Sequence, residues 1–190
     1  MTLPVKTILL MGKTGSGKGT QAALLARSLH YTAFSSGEAF RNIREEDSHL
    51  GKKVKEEYDT GIWLPYWFAS YLFQDALLHL KDGAGIVLEG VGRREQEARV
   101  FDEVTTWLER PYLVFNLEIS DEESRHRQEL RHRDLLDTPE MITKRLEEYK
   151  DHTIPALEFF RSKGVVIDVN GQQPIDVIHQ DIMNHLKIRT

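Results

Sequence analysis

Short apolar runs alternate along this chain with longer segments in which apolar residues recur at helical spacing. The apolar runs, at residues 5–11, 85–88, 112–117 and 165–169, have the length and continuity of buried parallel strands. The helical patterns cover residues 17–30, 65–80, 96–107, 121–130, 139–161 and 174–187. Strands that alternate with helices indicate βαβ units, so we predict a three-layer α/β fold with helices on both faces of a parallel sheet. Residues 35–64 contain helices but no clear strand, and we predict a helical insert there.

The composition is that of an ordinary globular protein. The chain has 190 residues, of which 40% are hydrophobic and 29% charged, so we expect a single domain over residues 1–190. The absence of cysteine excludes a disulfide framework, a thiolate zinc site and a cysteine nucleophile. A formal net charge of −5 argues against a nucleic-acid partner. No apolar run reaches the roughly 18 residues of a membrane span, and no signal-peptide pattern is present, so we expect a cytoplasmic protein.

A glycine-rich loop directly follows the first predicted strand. Residues 12–20 read GKTGSGKGT, and Gly12, Gly17 and Lys18 satisfy the G-x-x-x-x-G-K pattern of a P-loop. Glycines let the backbone turn its N–H groups onto phosphate oxygens, and the N-terminus of the following helix favours negative charge. Lys18 adds a mobile positive charge for the β- and γ-phosphates. The residues predicted to bind the triphosphate are Gly15, Ser16, Gly17, Lys18, Gly19 and Thr20.

The residue after the lysine identifies a family. A P-loop usually has Ser or Thr there, whereas this chain has Gly19 followed by Thr20 and Gln21. The sequence GSGKGTQ resembles that of the adenylate kinase and nucleoside monophosphate kinase family, and the resemblance extends from Ile8 to about Leu186. It implies a P-loop kinase core with an acceptor-binding insert at residues 35–64 and a short lid at residues 131–138. The implied reaction is transfer of the γ-phosphoryl group of Mg·ATP to a nucleoside monophosphate.

Three segments resemble the acceptor site of this family. In SSGEAFR, residues 35–41, Ser36 falls at the acceptor base and Arg41 at the acceptor phosphate, where a guanidinium can form a bidentate fork. GIWLP, residues 61–65, would line the base pocket, although Trp63 can also be a plain core aromatic. GIVLEGVGR, residues 85–93, would supply a second phosphate clamp. The implied acceptor-site residues are Ser36, Arg41, Ile62, Trp63, Leu64, Gly90, Arg93, Gln96, Arg133 and Arg145.

The acceptor segments also depart from the family pattern. Val91 and Gly92 stand where the family has Phe-Pro, and Glu97 stands where a glutamine usually reads the acceptor adenine. Gln96, one residue earlier, is our prediction for that contact. Glu38 and Glu89 replace the two metal-facing aspartates, and each side chain is longer by about 1.5 Å. Either these carboxylates act on Mg²⁺ through waters, or the metal shell is rearranged.

A cluster of arginines precedes the segment that resembles the lid. Residues 125–133 read RHRQELRHR, and Arg127 and Arg131 lie four apart on one helix face. The resemblance places Arg131 over the ATP base and phosphates, and Gln173 in a turn that meets the donor adenine. Arginines positioned beside a transferring phosphoryl group stabilise its charge, and this increases the rate by about 10³–10⁵-fold. The residues assigned to catalysis are Lys18, Arg93, Arg131, Arg133 and Arg145.

We therefore predict a monomeric kinase that uses ATP, Mg²⁺ and a nucleoside monophosphate. AMP is the first-choice acceptor, because Ser36 keeps a hydroxyl where pyrimidine-directed relatives often have alanine. UMP or CMP is the alternative acceptor. A nucleotide-binding module that has lost catalysis is the alternative of another class, suggested by the two glutamates and the missing Phe-Pro.

Overall fold

The computed structural model describes residues 5–60, 63–131 and 138–188. Its strands are β1 (Thr7–Gly12), β2 (Thr32–Ser35), β3 (Ile86–Glu89), β4 (Tyr112–Glu118) and β5 (Val166–Asn170). In the described part of the chain these five strands form one parallel sheet in the order β2-β3-β1-β4-β5. Its α-helices are α1 (Lys18–Leu29), α2 (Ser36–Arg44), α3 (His49–Tyr58), α4 (Tyr66–Leu78), α5 (Glu95–Trp107), α6 (Asp121–Arg131), α7 (Pro139–Glu148), α8 (Ile154–Ser162) and α9 (Ile175–Ile188).

Strand β1 lies in the middle of the sheet because both of its faces are apolar. The side chains of residues 8–11 are at most 2% exposed. Successive side chains of a strand point to opposite faces. Ile8 and Leu10 accordingly pack with residues of α1 and α9, whereas Leu9 and Met11 pack with residues of α4, α5 and α8. The predicted three-layer α/β fold is therefore confirmed.

Two elements differ from the pattern read in the sequence. Strand β2 was not predicted, because it has only four residues and lies at the sheet edge with its side chains partly exposed. The single helix predicted over residues 139–161 is interrupted by a π-helical turn, Tyr149–Thr153, between α7 and α8. Pro155 follows this turn and has no N–H to donate to the carbonyl of Asp151, so the regular α-helical ladder is interrupted there.

The segment predicted as an insert forms a small helical unit with its own apolar centre. Val54 of α3 packs with Leu64 and with Phe68 of α4, and Phe40 and Ile43 of α2 are among the partly buried residues that pack against them. Helix α2 starts directly after β2, so this unit is attached at the carboxyl end of an edge strand. No helix of the described residues is long and apolar enough to cross a membrane.

Candidate active site

A cleft of about 880 Å³ opens at the carboxyl ends of β1, β2 and β3. Ligands of open parallel sheets bind at this edge, because the loops that leave the strands converge there. Most of the site residues predicted from the sequence line this cleft: Gly15, Ser16, Gly17, Lys18, Gly19, Thr20, Ser36, Glu38, Arg41, Trp63, Leu64, Glu89, Gly90, Arg93, Arg145 and Gln173. Ile62, Arg133 and the side chain of Arg131 lie outside the described residues, as does most of the lid segment 131–138.

The phosphate loop joins the central strand to α1. Gly12, Gly15 and Gly17 have φ angles of 132°, 83° and 94°, a region in which a side chain is strained. The Nζ of Lys18 donates to the carbonyl oxygens of Gly12 at 2.8 Å and Lys13 at 2.6 Å. This geometry sets backbone amides, a helix N-terminus and an ammonium group around one concave surface, which is the chemistry of a polyphosphate site.

Ser36 lies at the acceptor side of the cleft, where it is 4% exposed. Its Oγ donates to the carbonyl oxygen of Gly90 at 2.7 Å. Gly90 has a φ of 76°, and a Cβ there would collide with the Ser36 hydroxyl, so only glycine allows this contact. Because its proton is donated to Gly90, the Ser36 hydroxyl presents acceptor lone pairs to the cleft.

Arg93 stacks on an aromatic ring, and the negative charge of several carboxylates acts on it. Its guanidinium lies over the indole ring of Trp63, with 3.9 Å between the guanidinium carbon and the ring centroid. Burial lowers the pKa of Arg93, while the negative charges of Glu97, Glu148 and Glu89 oppose that shift. Arginine stays protonated in proteins, so the cleft holds a desolvated positive charge suited to a phosphate.

The turn before α5 places Glu97 in the lining of the cleft, and Gln96, predicted to contact the acceptor base, outside it. Gln96 is exposed and is not among the described residues that line the cleft, whereas Glu97 lines it and is 4% exposed. Glu97 is the third residue of α5, and its Oε2 accepts from the backbone N–H of Arg93 at 3.0 Å. This reach back over the helix start, as in a capping box, turns Glu97 inward and leaves Gln96 on the outer face.

Ser35 contacts both residues predicted to face the metal, Glu89 at its carboxylate and Glu38 at its backbone. The Ser35 hydroxyl donates to Oε1 of Glu89, and it accepts from the backbone N–H of Glu38 at 3.3 Å. Both carboxylates line the cleft. The described residues contain no group of three or more His, Asp or Glu side chains able to enclose a metal ion. Two carboxylates suit Mg²⁺, which keeps several waters and takes phosphate oxygens as its other ligands.

Arginines of α6 and α7 also line the cleft. Arg127 donates to Oε1 of Glu123 at 2.6 Å and to the carbonyl oxygen of Gly15 at 3.3 Å. Arg145 donates from Nη1 to Oε1 of Gln128 at 3.2 Å. Positive charge from α6 and α7 thus faces the phosphate loop, where a transferring phosphoryl group would need it.

Three residues near the site were missed from the sequence. Glu148 and Tyr149 line the cleft where α7 meets the π-helical turn, and no motif marks that position. Burial raises the pKa of Glu148. Lys13 occupies a variable position of the P-loop pattern, yet its Nζ donates to the carbonyl oxygen of Ile119 and contacts Oδ1 of Asp121, each at 2.7 Å.

A P-loop after the central strand, faced by arginines from two further helices, defines a P-loop phosphotransferase. The family model described as adenylate kinase matches residues 10–165. The chain therefore belongs to the adenylate kinase family, as its phosphate loop predicted, and it is a nucleoside monophosphate kinase.

Individual relatives match over most of their length. An adenylate kinase of Bifidobacterium longum is 33% identical over 184 residues, which are 95% of this chain and 99% of the relative. One of Symbiobacterium thermophilum is 31% identical, with 92% of this chain and 95% of the relative covered. One of Mycobacterium tuberculosis is 34% identical, with 86% and 91% covered.

Proposed function

We propose that this protein transfers the γ-phosphoryl group of ATP reversibly to AMP. The observation that carries the proposal is the presence of two cationic sites in one cleft. Lys18 and the phosphate loop form the donor site, and Arg41 and Arg93 lie across the cleft where a second phosphate would bind. Two phosphates held face to face convert a bimolecular reaction into an effectively unimolecular one.

The acceptor phosphate itself is the nucleophile in this proposal. An oxygen of AMP attacks the γ-phosphorus, the bond to the β-γ bridging oxygen of ATP breaks, and two nucleoside diphosphates result. Lys18 and Arg145 stabilise the charge on the transferring group, together with Arg131 and Arg133 as the sequence predicts. Arg41 and Arg93 hold the attacking phosphate. Residues 35–64 and 131–138 serve as acceptor insert and lid, and their closure excludes water that would otherwise hydrolyse ATP.

AMP is proposed as acceptor for two reasons. The relatives are named adenylate kinases, and Ser36 presents a hydroxyl acceptor to the cleft. The amino group of adenine is a hydrogen-bond donor that suits this oxygen. Gln173 also lines the cleft and is proposed to meet the adenine of ATP.

Mg²⁺ is proposed to arrive with ATP and to be held through waters by Glu38 and Glu89. The ion would neutralise charge on the β- and γ-phosphates. A Glu89→Gln variant tests this assignment. Because the amide removes the negative charge at nearly the same length, we expect more Mg²⁺ to be needed for half-maximal rate, with the rate largely restored at saturating Mg²⁺. Glu89→Asp, which keeps the charge and shortens the side chain by about 1.5 Å, should change this requirement little, because waters absorb the difference. An unchanged rate of Glu89→Gln at limiting Mg²⁺ would contradict the assignment.

The decisive experiment measures turnover with ATP against AMP, GMP, CMP, UMP and their deoxy forms. We expect the highest kcat/KM with AMP and a loss of at least about 10³-fold in Lys18→Ala. Lys81→Ala, which removes an exposed lysine far along the chain from the loop, is the matched control. A higher kcat/KM with UMP or CMP would contradict AMP as the acceptor but not the kinase activity. No turnover with any acceptor would contradict the kinase activity and favour a nucleotide-binding module that has lost catalysis.

Other expectations from the sequence stay predictions. These are a cytoplasmic location, a monomeric state, and the absence of nucleic-acid and membrane partners. Size-exclusion chromatography with light scattering tests the monomer, and retention on an oligonucleotide column at low salt tests nucleic-acid binding.

A further inference from the structure

Two buried polar side chains connect α6 to the phosphate loop. Ser124 and Gln128 are both 0% exposed and lie four residues apart on one face of the helix. The Ser124 hydroxyl donates to the carbonyl oxygen of Thr14 at 2.7 Å. The side-chain nitrogen of Gln128 donates to the carbonyl oxygen and to the hydroxyl of Ser124, each at 3.1 Å.

The other end of the Gln128 amide meets an arginine of the site. Its Oε1 accepts from Nη1 of Arg145 at 3.2 Å. These contacts fix the orientation of the amide, since the reverse orientation would direct the NH₂ donor at a guanidinium that can only donate. A continuous series of hydrogen bonds therefore runs from Arg145 through Gln128 and Ser124 to Thr14 in the phosphate loop. Each bond polarises the next in such a series.

The loop and the helix are also in close contact. Gly15 has a φ of 83°, and a Cβ built there would lie 3.2 Å from the carbonyl oxygen of Ser124 and 3.7 Å from Cγ of Gln128. A buried amide costs free energy unless it is fully hydrogen-bonded, and an apolar side chain would pack at this position without that requirement. The hydrogen bond to Arg145 therefore accounts for the buried polar side chains of Ser124 and Gln128 at this position.

We propose that Gln128 is a positioning residue for phosphoryl transfer, which holds the guanidinium of Arg145 in a fixed place relative to the phosphate loop. The inference rests on the proposed function, in which Arg145 stabilises the transferring phosphoryl group. Gln128 acts through Arg145 and Ser124, and in this proposal it touches neither nucleotide.

A Gln128→Met variant tests the proposal, because methionine has a similar volume and offers no strong donor or acceptor. A displacement of about 1 Å of a positioned group costs on the order of 10²-fold in rate. We expect kcat to fall by about 10- to 100-fold, with both nucleotide KM values changing by less than about 3-fold. The control is Gln180→Met on the exposed face of α9, for which we expect wild-type kinetics.

A double-mutant cycle separates positioning from general stability. In an Arg145→Ala background, Gln128→Met should have no further effect on kcat, because the residue that Gln128 positions is gone. Equal losses in both backgrounds would overturn the proposal, as would an unchanged kcat in Gln128→Met alone. If Gln128→Met does not fold, the same cycle is run with Gln128→Leu, which likewise offers no donor or acceptor to Arg145. We then expect the same fall of kcat in the wild-type background and again no further loss after Arg145→Ala.

Failure of this inference and of the proposed function are distinguishable. Wild-type protein without turnover on any acceptor would refute the proposed function. Wild-type turnover combined with an additive cycle would refute only the role of Gln128.

Discussion

The guanidinium carbon of Arg93 lies 3.9 Å from the centroid of the Trp63 indole ring. Arg94 approaches the same ring at 5.1 Å and donates from Nη1 to the carbonyl oxygen of Leu64 at 3.3 Å. Trp63 and Leu64 end the segment predicted as the acceptor insert, and both arginines belong to the turn between β3 and α5. The stacking therefore links the insert to the core at the point where the acceptor phosphate is proposed to bind.

Removal of the indole ring should weaken acceptor binding selectively. A desolvated cation–π contact is worth about 1–2 kcal/mol, so Trp63→Leu should raise the acceptor KM by about 5- to 30-fold. The ATP KM should stay within about 2-fold, because Trp63 lies on the acceptor side. Trp107→Leu, at an indole that is 75% exposed on α5, is the control. Equal changes of both KM values would show that Trp63 acts only as a packing residue.

The side chain of Glu97 should influence which base is accepted. An ionised carboxylate only accepts hydrogen bonds, whereas a glutamine side chain pairs bidentately with the donor and acceptor of adenine. Glu97→Gln should therefore raise kcat/KM for AMP relative to the other monophosphates, by about 10-fold for one good bidentate pair. Steady-state kinetics with AMP, GMP, CMP and UMP measure the change. A fall in the preference for AMP would place the acceptor base elsewhere in the cleft.

The same variant should change how stability depends on pH. Burial raises the pKa of Glu97, and the N–H group of Arg93 only partly opposes this. The unfolded chain therefore releases this proton at lower pH than the folded protein does. As pH rises through the folded pKa, wild type loses stability relative to the variant, and above that pKa the difference is constant.

Urea unfolding of wild type and Glu97→Gln between about pH 4 and pH 8 measures this difference. We expect the free energy of unfolding of the variant to increase relative to that of wild type as pH rises. Gln96→Glu, on the outer face of the same helix, is the control for the charge change. A difference that is the same at every pH would mean that Glu97 ionises equally in both states.

Apart from β2 and the π-helical turn, the alternation of strands and helices followed from the sequence because it depends on patterns that local physics enforces. Residues 8–11 are apolar on both strand faces, and the glycines of the phosphate loop adopt φ angles that few other residues tolerate. The register of the turn after β3 did not follow. The length of this turn determines whether Gln96 or Glu97 points into the cleft. The hydrogen bond from the backbone N–H of Arg93 to the Glu97 carboxylate fixes Glu97 in the inward position.

The contacts among distant residues were also beyond sequence reasoning. Arg145 and Gln128 are 17 residues apart, and Ser124 and Thr14 are 110 apart. Read locally, Gln128 belongs to a charged helix pattern in which burial is not expected. Only the packing of α6 on the phosphate loop makes it a core residue with complete hydrogen bonding.

Asp121, the first residue of α6, forms an ionic cluster with two lysines. Asp121 lies 2.7 Å from Nζ of Lys13 in the phosphate loop and 2.9 Å from Nζ of Lys150 in the π-helical turn. The hydrogen bonds from Lys13 and Lys150 lower the pKa of Asp121 to about 2. A lowered pKa means that the stabilisation is complete above the ordinary aspartate pKa, and that it is lost as pH falls from there to about 2.

Asp121→Asn should therefore destabilise the protein at neutral pH, and the effect should become smaller as pH falls from the ordinary aspartate pKa towards about 2. Because the Asp121 side chain is 39% exposed, solvent screening limits the effect to about 0.5–1 kcal/mol in the free energy of unfolding. Added salt should reduce it further, since exposed ion pairs are screened. Urea unfolding at about pH 7 and pH 3, with and without about 0.5 M NaCl, makes the measurement. Asp176→Asn, in the first turn of α9, controls for the loss of a helix N-terminal charge. An effect that persists undiminished at pH 3 would show that Asp121 acts through hydrogen bonds that survive its protonation, and that its charge is not what joins the loop to the helix.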